Sequence, residues 1–159
     1  DDIIVMNAGK VQDTGPPETI YLKPKNRFTA AFMGEANFIT GRIVRTAGRS
    51  LQFRTDFGEF TIPQSALLTH EPEPGASLDL CFRPEHVRPD LRSRSAIDLG
   101  PAQITDMAFS GTCHRCHMRL KDQIITAHLP QNAAAGIGDT VRLKLDRGDV
   151  ILLPHQEPL

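Results

Sequence analysis

From Asn37 to Leu153, apolar and polar residues alternate in short runs separated by breaks that contain Gly or Pro. Period-two alternation puts one set of side chains on each face of a strand, so this region reads as an all-β sandwich or barrel. The residues before it carry a different pattern. Ile3 to Met6 is a continuous apolar run, Asn7-Ala8-Gly9-Lys10 is a turn with glycine available for positive φ, and Val11-Gln12-Asp13 is a return strand. Together they predict a β-hairpin. Pro16 suits the first position of a helix reaching about Leu22, and Pro24 ends it. Asn26 caps a second helix, Arg27 to Met33, with Phe28, Ala31 and Phe32 on one face and Gly34 as its stop.

The β region says the same thing twice. Leu51-Gln52-Phe53-Arg54 returns as Met118-Arg119-Leu120-Lys121, and Pro63-Gln64-Ser65-Ala66 returns as Pro130-Gln131-Asn132-Ala133. Further on, Gly75, Leu78, Leu80, Phe82 and Val87 match Gly138, Val141, Leu143, Leu145 and Val150. The offset shortens between the two blocks, as a loop-length difference requires. The expected strands lie near 37–45, 50–55, 57–62, 77–83 and 86–88 in the first copy. In the second they lie near 101–109, 112–120, 123–129, 139–146 and 150–153. One helical turn between the third and fourth strand (PQSALL, PQNAAA) completes the layout of a small five-stranded Greek-key barrel of oligonucleotide-binding type. The fold class is therefore mainly β: a hairpin and two short helices in 1–36, one barrel in 37–96 and a second in 97–159. Barrels this small bury little surface alone, so the two are expected to share a core or pack together.

Composition narrows the function. Among 159 residues, 18 Lys and Arg face 19 Asp and Glu, a net charge of −1 with no basic block to neutralise phosphates. Aromatic content is 6%, with no Trp and one Tyr, which leaves few stacking platforms; no nucleic-acid partner is expected. No apolar run approaches the ~20 residues of a membrane span, and the first residues lack the regions of a signal peptide. A soluble, unexported, cytosolic chain is the expectation. Cys81, Cys113 and Cys116 make an odd number of cysteines, which fits a reducing compartment. The start at Asp1-Asp2, without methionine, reads as a cut from a longer protein.

One stretch looks like cofactor chemistry. Cys113-x-x-Cys116-His117 is the attachment pattern of a c-type haem and resembles half a zinc site. The repeat argues otherwise, because Met118 and Leu120 align with Leu51 and Phe53 on the core face of a strand. Cys116 then shares that face while Cys113, Arg115 and His117 lie on the other, and an extended strand would hold the two thiols ~10 Å apart. Neither metal nor haem is expected. Cys81 stands alone, and His70, His86, His128 and His155 are scattered. His114, His117 and His128 read as polar strand residues rather than as a catalytic set.

Residues 1–37 carry a more specific signal. Asp1-x-Ile3-x-Val5-Met6-Asn7-x-Gly9-Lys10-Val11 is followed by Gly15-x-Pro17-Glu18-x-Ile20-Tyr21, then by Pro24, Asn26, Phe28, Phe32 and Gly34-Glu35-x-Asn37. This string closely resembles the end of the ATPase domain of ABC importers, in the subgroup for polyamines, ferric iron, phosphonates, sulfate or sugars. In that family the stretch leads into a regulatory region of two oligonucleotide-binding-type barrels, the TOBE domain. Arg83-Pro84-Glu85-His86-Val87 resembles the family's recurrent segment at the end of the first barrel. The resemblance implies a C-terminal part of an ATP-binding subunit, in which 37–159 is the regulatory and dimerisation region. It also implies peripheral location on the inner face of the cell membrane, with a second copy and permease subunits as partners. The permease would be reached through the missing ATPase domain. No Gly-x-x-x-x-Gly-Lys-Ser/Thr loop is present, so ATP and Mg²⁺ belong to the full-length parent and no cofactor or catalysis is expected in this chain.

Candidate contacts are Glu35 and Asn37 at the start of the barrels, and Arg83 and Glu85 after the fourth strand; each could equally serve only as a cap or a surface ion pair. A second reading is a small-ligand sensor. Related barrel modules bind an oxyanion between subunits, and Ser110-Gly111-Thr112, in a loop that departs from the repeat, could supply amides and hydroxyls. An ordinary hairpin turn explains the same three residues.

Overall fold

The computed structural model describes residues 1–68, 72–73 and 75–156; His70 lies outside them. The chain opens with β1 (Ile3–Asn7) and β2 (Lys10–Gly15), an antiparallel hairpin turned at Ala8 and Gly9, both at positive φ. Two one-and-a-half-turn helices follow, α1 (Pro17–Leu22) and α2 (Arg27–Phe32). Pro16 and Pro17 set the start of α1, and Asn26 caps α2 by accepting from the Thr29 N–H at 2.9 Å. The hairpin packs against these helices: Val5 and Asp13 of the hairpin and Ile20 of α1 are buried. Asp13 ties the pieces together, accepting from the backbone N–H of Thr14 and of Lys25 at 2.8 and 2.9 Å. The outer face of the hairpin, with Ile4, Met6 and Val11, is exposed.

The remainder is antiparallel β-structure. Its strands are β3 (Asn37–Ala47), β4 (Ser50–Thr55), β5 (Gly58–Pro63), β6 (Ser77–Phe82), β7 (Ile97–Phe109), β8 (Cys113–Leu120), β9 (Gln123–Pro130), β10 (Thr140–Leu145) and β11 (Ile151–Pro154). The duplication is visible in the pattern of burial. Leu51, Phe53, Leu78, Leu80, Phe82 and Val87 are buried, as are Met118, Leu120, Leu143, Leu145 and Val150. Each half also has one bulge between its first two strands, at positions two residues apart in the repeat: β3 skips Val44 against β4, and β7 skips Thr105 against β8. Those buried residues of both halves form one core. In β3, Gly41 is required by that packing, because a Cβ there would lie 2.4 Å from the Arg54 carbonyl and 2.7 Å from the Phe53 ring.

The strand partnerships depart from two self-contained units. One sheet runs β10-β7-β8-β9 and the other runs β11-β6-β3-β4-β5. The fifth strand of the second half thus crosses over and pairs with β6 of the first, Leu152 opposite Leu80. Residues 86–88, expected as a strand, instead finish and follow a 3₁₀ turn (Pro84–His86), and their one backbone bond to another strand runs from Arg88 N–H to the Lys144 carbonyl at 2.9 Å. The helical turn expected at PQSALL is found at Gln64–Ala66. Its counterpart at PQNAAA is only a hydrogen-bonded turn, Ala133 N–H to Pro130 C=O.

Candidate functional site

Arg83 leaves the end of β6 just before Pro84, and its side chain is buried against the two helices. Carbonyls in the last turn of a helix have no intrahelical partner and carry the negative end of the helix dipole. Arg83 meets one from each helix, together with two carbonyls just past α2. Nη1 donates to the carbonyls of Ala30 (2.8 Å), Gly34 (3.1 Å) and Glu35 (3.1 Å), and Nη2 donates to that of Tyr21 (2.8 Å). The guanidinium also lies 4.1 Å from the centre of the Tyr21 ring. A planar five-donor fork suits this role, whereas a lysine would reach one or two of the four acceptors.

The other three candidates surround it. The Tyr21 hydroxyl donates to Glu85 Oε1 at 2.6 Å. Burial raises the Glu85 carboxyl, but that hydrogen bond, a backbone donor and the nearby His86 and His128 together bring it below the ordinary range. Burial, then the hydrogen bond to Glu85, pushes the Tyr21 hydroxyl up. Glu35 receives Arg115 Nε on both carboxylate oxygens (3.0 and 2.9 Å) and Nη2 as well, and this pairing holds its carboxyl low. His128, opposite Arg115 across β8 and β9, stands 3.7 Å from Glu35. Asn37 makes a two-way bond with the backbone of Thr126, Nδ2 to C=O at 2.8 Å and N–H to Oδ1 at 2.9 Å. Glu35, Asn37, Arg83 and Glu85 therefore meet at one seam, where the leading segment, the first half and the second half come together.

A second buried knot on this seam escaped the sequence reading. Asp79 is fully buried, accepts from Arg27 Nη1 and Thr40 Oγ1 at 2.9 Å each, and lies 2.9 Å from His155 Nδ1. Arg27 stacks over Phe38 at 4.1 Å. The signal was an acid between the two leucines of Leu-Asp-Leu-Cys-Phe; alternation puts it on the face away from Leu78 and Leu80, and α2 covers that face through Arg27. Tyr21 and Arg115 escaped for a different reason, since their partners stand 62 to 80 residues away in the chain.

Ser110, Gly111 and Thr112 sit apart from this seam, in the exposed turn between β7 and β8. Ser110 N–H donates to Cys113 C=O and Thr112 N–H to Ser110 C=O, so two of the three amides are spent inside the turn. Cys113 to Leu120 is one continuous strand, with Cys116 buried on the face of Met118 and Leu120 and Cys113 on the other. Among the described residues no group of three or more His, Cys, Asp or Glu is placed to hold a metal ion.

The class of protein follows from a duplicated barrel region joined to a helical lead. The family model described as "TOBE domain" matches residues 80–153. The fold is shared with the cytoplasmic molybdate-binding protein ModG, solved with molybdate bound: TM-score 0.60 at 13% identity, covering 75% of this chain and 96% of that one. The spermidine/putrescine import ATP-binding protein PotA 1 of Pseudomonas aeruginosa is 34% identical over 135 residues, 84% of this chain and 35% of the relative. The sn-glycerol-3-phosphate import ATP-binding protein UgpC of Pectobacterium atrosepticum is 32% identical over 162 residues, 99% of this chain and 42% of the relative. The chain carries a TOBE domain and is similar over most of its length to ATP-binding proteins of ABC importers. It spans about two fifths of the length of these curated relatives.

Proposed function

We propose that this chain is the regulatory and dimerisation region of an ABC importer ATP-binding subunit, 1–36 being the end of the ATPase domain and 37–159 the barrel region. The observation that carries the reading is the buried Arg83 fork. It joins carbonyls of α1, α2 and the 34–35 link to the end of β6, so a displacement of the leading segment is passed to the barrels. On this reading the parent hydrolyses ATP with Mg²⁺ at residues outside this chain and works at the inner face of the cell membrane. Its partners are permease subunits and a second copy whose barrels stay joined, keeping the ATPase domains at high effective concentration. In an ATP-binding protein that contains this segment, Arg83→Met is expected to leave nucleotide binding intact and to lower permease-stimulated ATPase activity at least fivefold. Unchanged stimulated activity would rule the coupling role out.

A second reading is oxyanion sensing, supported by the likeness in fold to ModG. It predicts that molybdate or sulfate raises the melting temperature of the chain and that Thr112→Val removes the shift; no shift at millimolar anion would count against it.

A further inference from the structure

The duplication reveals a place where one half is filled and the other is empty. In the first half, β11 lies between two backbones. On one side it pairs with β6, and on the other Leu152 bridges to Leu67, just after the Gln64–Ala66 turn. In the second half the corresponding walls are β10 and the segment around Ala134, and among the described residues no strand lies between them. The reason is local. Arg88 begins the equivalent pairing with its bond to Lys144, but Pro89 then turns the chain away, with Leu91 N–H closing on Arg88 C=O at 3.0 Å. Proline at the second position of such a turn fixes the φ it needs. What remains is a slot of about 590 Å³ with Leu129, Ala133, Ala135 and Val141 along it and Asp90 and Asp139 on its rim.

Both walls are substituted to match. Ala134 replaces Leu67, and Val141, half-buried, replaces Leu78, which is buried. The outer edge of β10 is open. Lys144 C=O points to it, and strand alternation turns the backbone groups of Arg142 and Thr140 the same way, where they have no backbone partner among the described residues.

We propose that this slot takes an extended segment of a partner protein, added antiparallel to β10, with an aliphatic side chain seated as Leu152 is in the first half and a flanking Lys or Arg facing Asp90 and Asp139. Strand addition of this kind draws affinity from the open backbone edge and selectivity from the side-chain pocket. A second copy of β10 is a poor occupant, since a symmetric pairing centred on Arg142 would set like charges opposite each other. The slot lies outside the Arg83 seam and does not depend on it.

The probe is a labelled peptide, Lys-Val-Ile-Leu-Leu-Pro-Lys, titrated into the chain by fluorescence anisotropy. Saturable binding is expected, weakened at least tenfold by Ala134→Arg, which plugs the slot from an exposed position, and likewise by Thr140→Pro, which removes an edge N–H. Amide exchange at Thr140 and Arg142 should slow on binding. Absent binding, or binding indifferent to Ala134→Arg in a variant with wild-type circular dichroism, would overturn the proposal. So would a dimer in sedimentation that Ala134→Arg dissolves, which would make the occupant a second copy. Either failure leaves the ATPase-coupling test untouched.

Discussion

The two halves place the same apolar positions in one core, yet one sheet has five strands and the other four. The difference begins where the halves stop agreeing in sequence. After Val150 come Ile151 and Leu152, which continue as a strand; after the matching Val87 come Arg88 and Pro89, which turn away. The residues before these valines diverge as well. Asp146 closes its own turn by accepting from the Gly148 N–H at 2.8 Å, while its counterpart Arg83 reaches out of the barrel to the helices. A repeated core therefore fixes the shared body, and positions that break the repeat carry the connections. Arg83 and Pro89 are the two clearest of these.

The comparison can be broken at four points. The largest effect is expected at Arg83. Arg83→Met strands four carbonyls, two at helix ends and two in the 34–35 link, and should cost about 4 kcal/mol in denaturant unfolding, whereas Asp146→Ala should cost about 1. Equal costs would mean that Arg83 has no role beyond that of its repeat partner. Next is the crossover strand. Leu152→Ala empties a filled position and should lose about 3 kcal/mol, while Pro89→Ala should change stability by under ~0.5, as read from midpoint shifts at constant m.

Smaller still is the pH response of the seam. The carboxyls of Glu35 and Glu85 are held low, so their contribution is complete above the unfolded value of ~4.3 and is lost as pH falls through their lower folded values. Tyr21 is raised, so its contribution is complete below ~10 and is lost as pH rises through its folded value. Each half-exposed pair should account for under ~1 kcal/mol, and Glu35→Gln should flatten part of the acid limb of a stability profile. The least effect on stability, but a clear kinetic one, concerns the thiols. Burial pushes Cys81 up to about 12 and also raises Cys116, so alkylation at pH 8 should label Cys113 first. Rapid labelling of Cys116 would contradict a closed β8.

Much of this body was legible in the sequence because it depends on alternation. Leu51, Phe53, Met118 and Leu120 announce a buried face by period two alone, and the same rule separates Cys113 from Cys116. Alternation says which face a residue occupies and nothing about which strand lies beside it, so the crossing of β11 to β6 was not readable. Nor was the open slot, which depends on a turn at Pro89 rather than on any apolar pattern. At the seam, Glu35, Asn37, Arg83 and Glu85 stood out through a family resemblance, but the chemistry that unites them did not. It rests on carbonyl oxygens of Tyr21 and Ala30, and backbone acceptors leave no trace in side-chain letters.

The most direct measurement is hydrogen–deuterium exchange of the chain with Arg83 intact and with Arg83→Met. If the guanidinium is the link, amides in 17–35 should lose at least tenfold protection in the variant while those in β3 to β10 keep theirs. Uniform loss across all strands would make Arg83 a general core residue, and unchanged protection in 17–35 would show that the leading segment is held by something else.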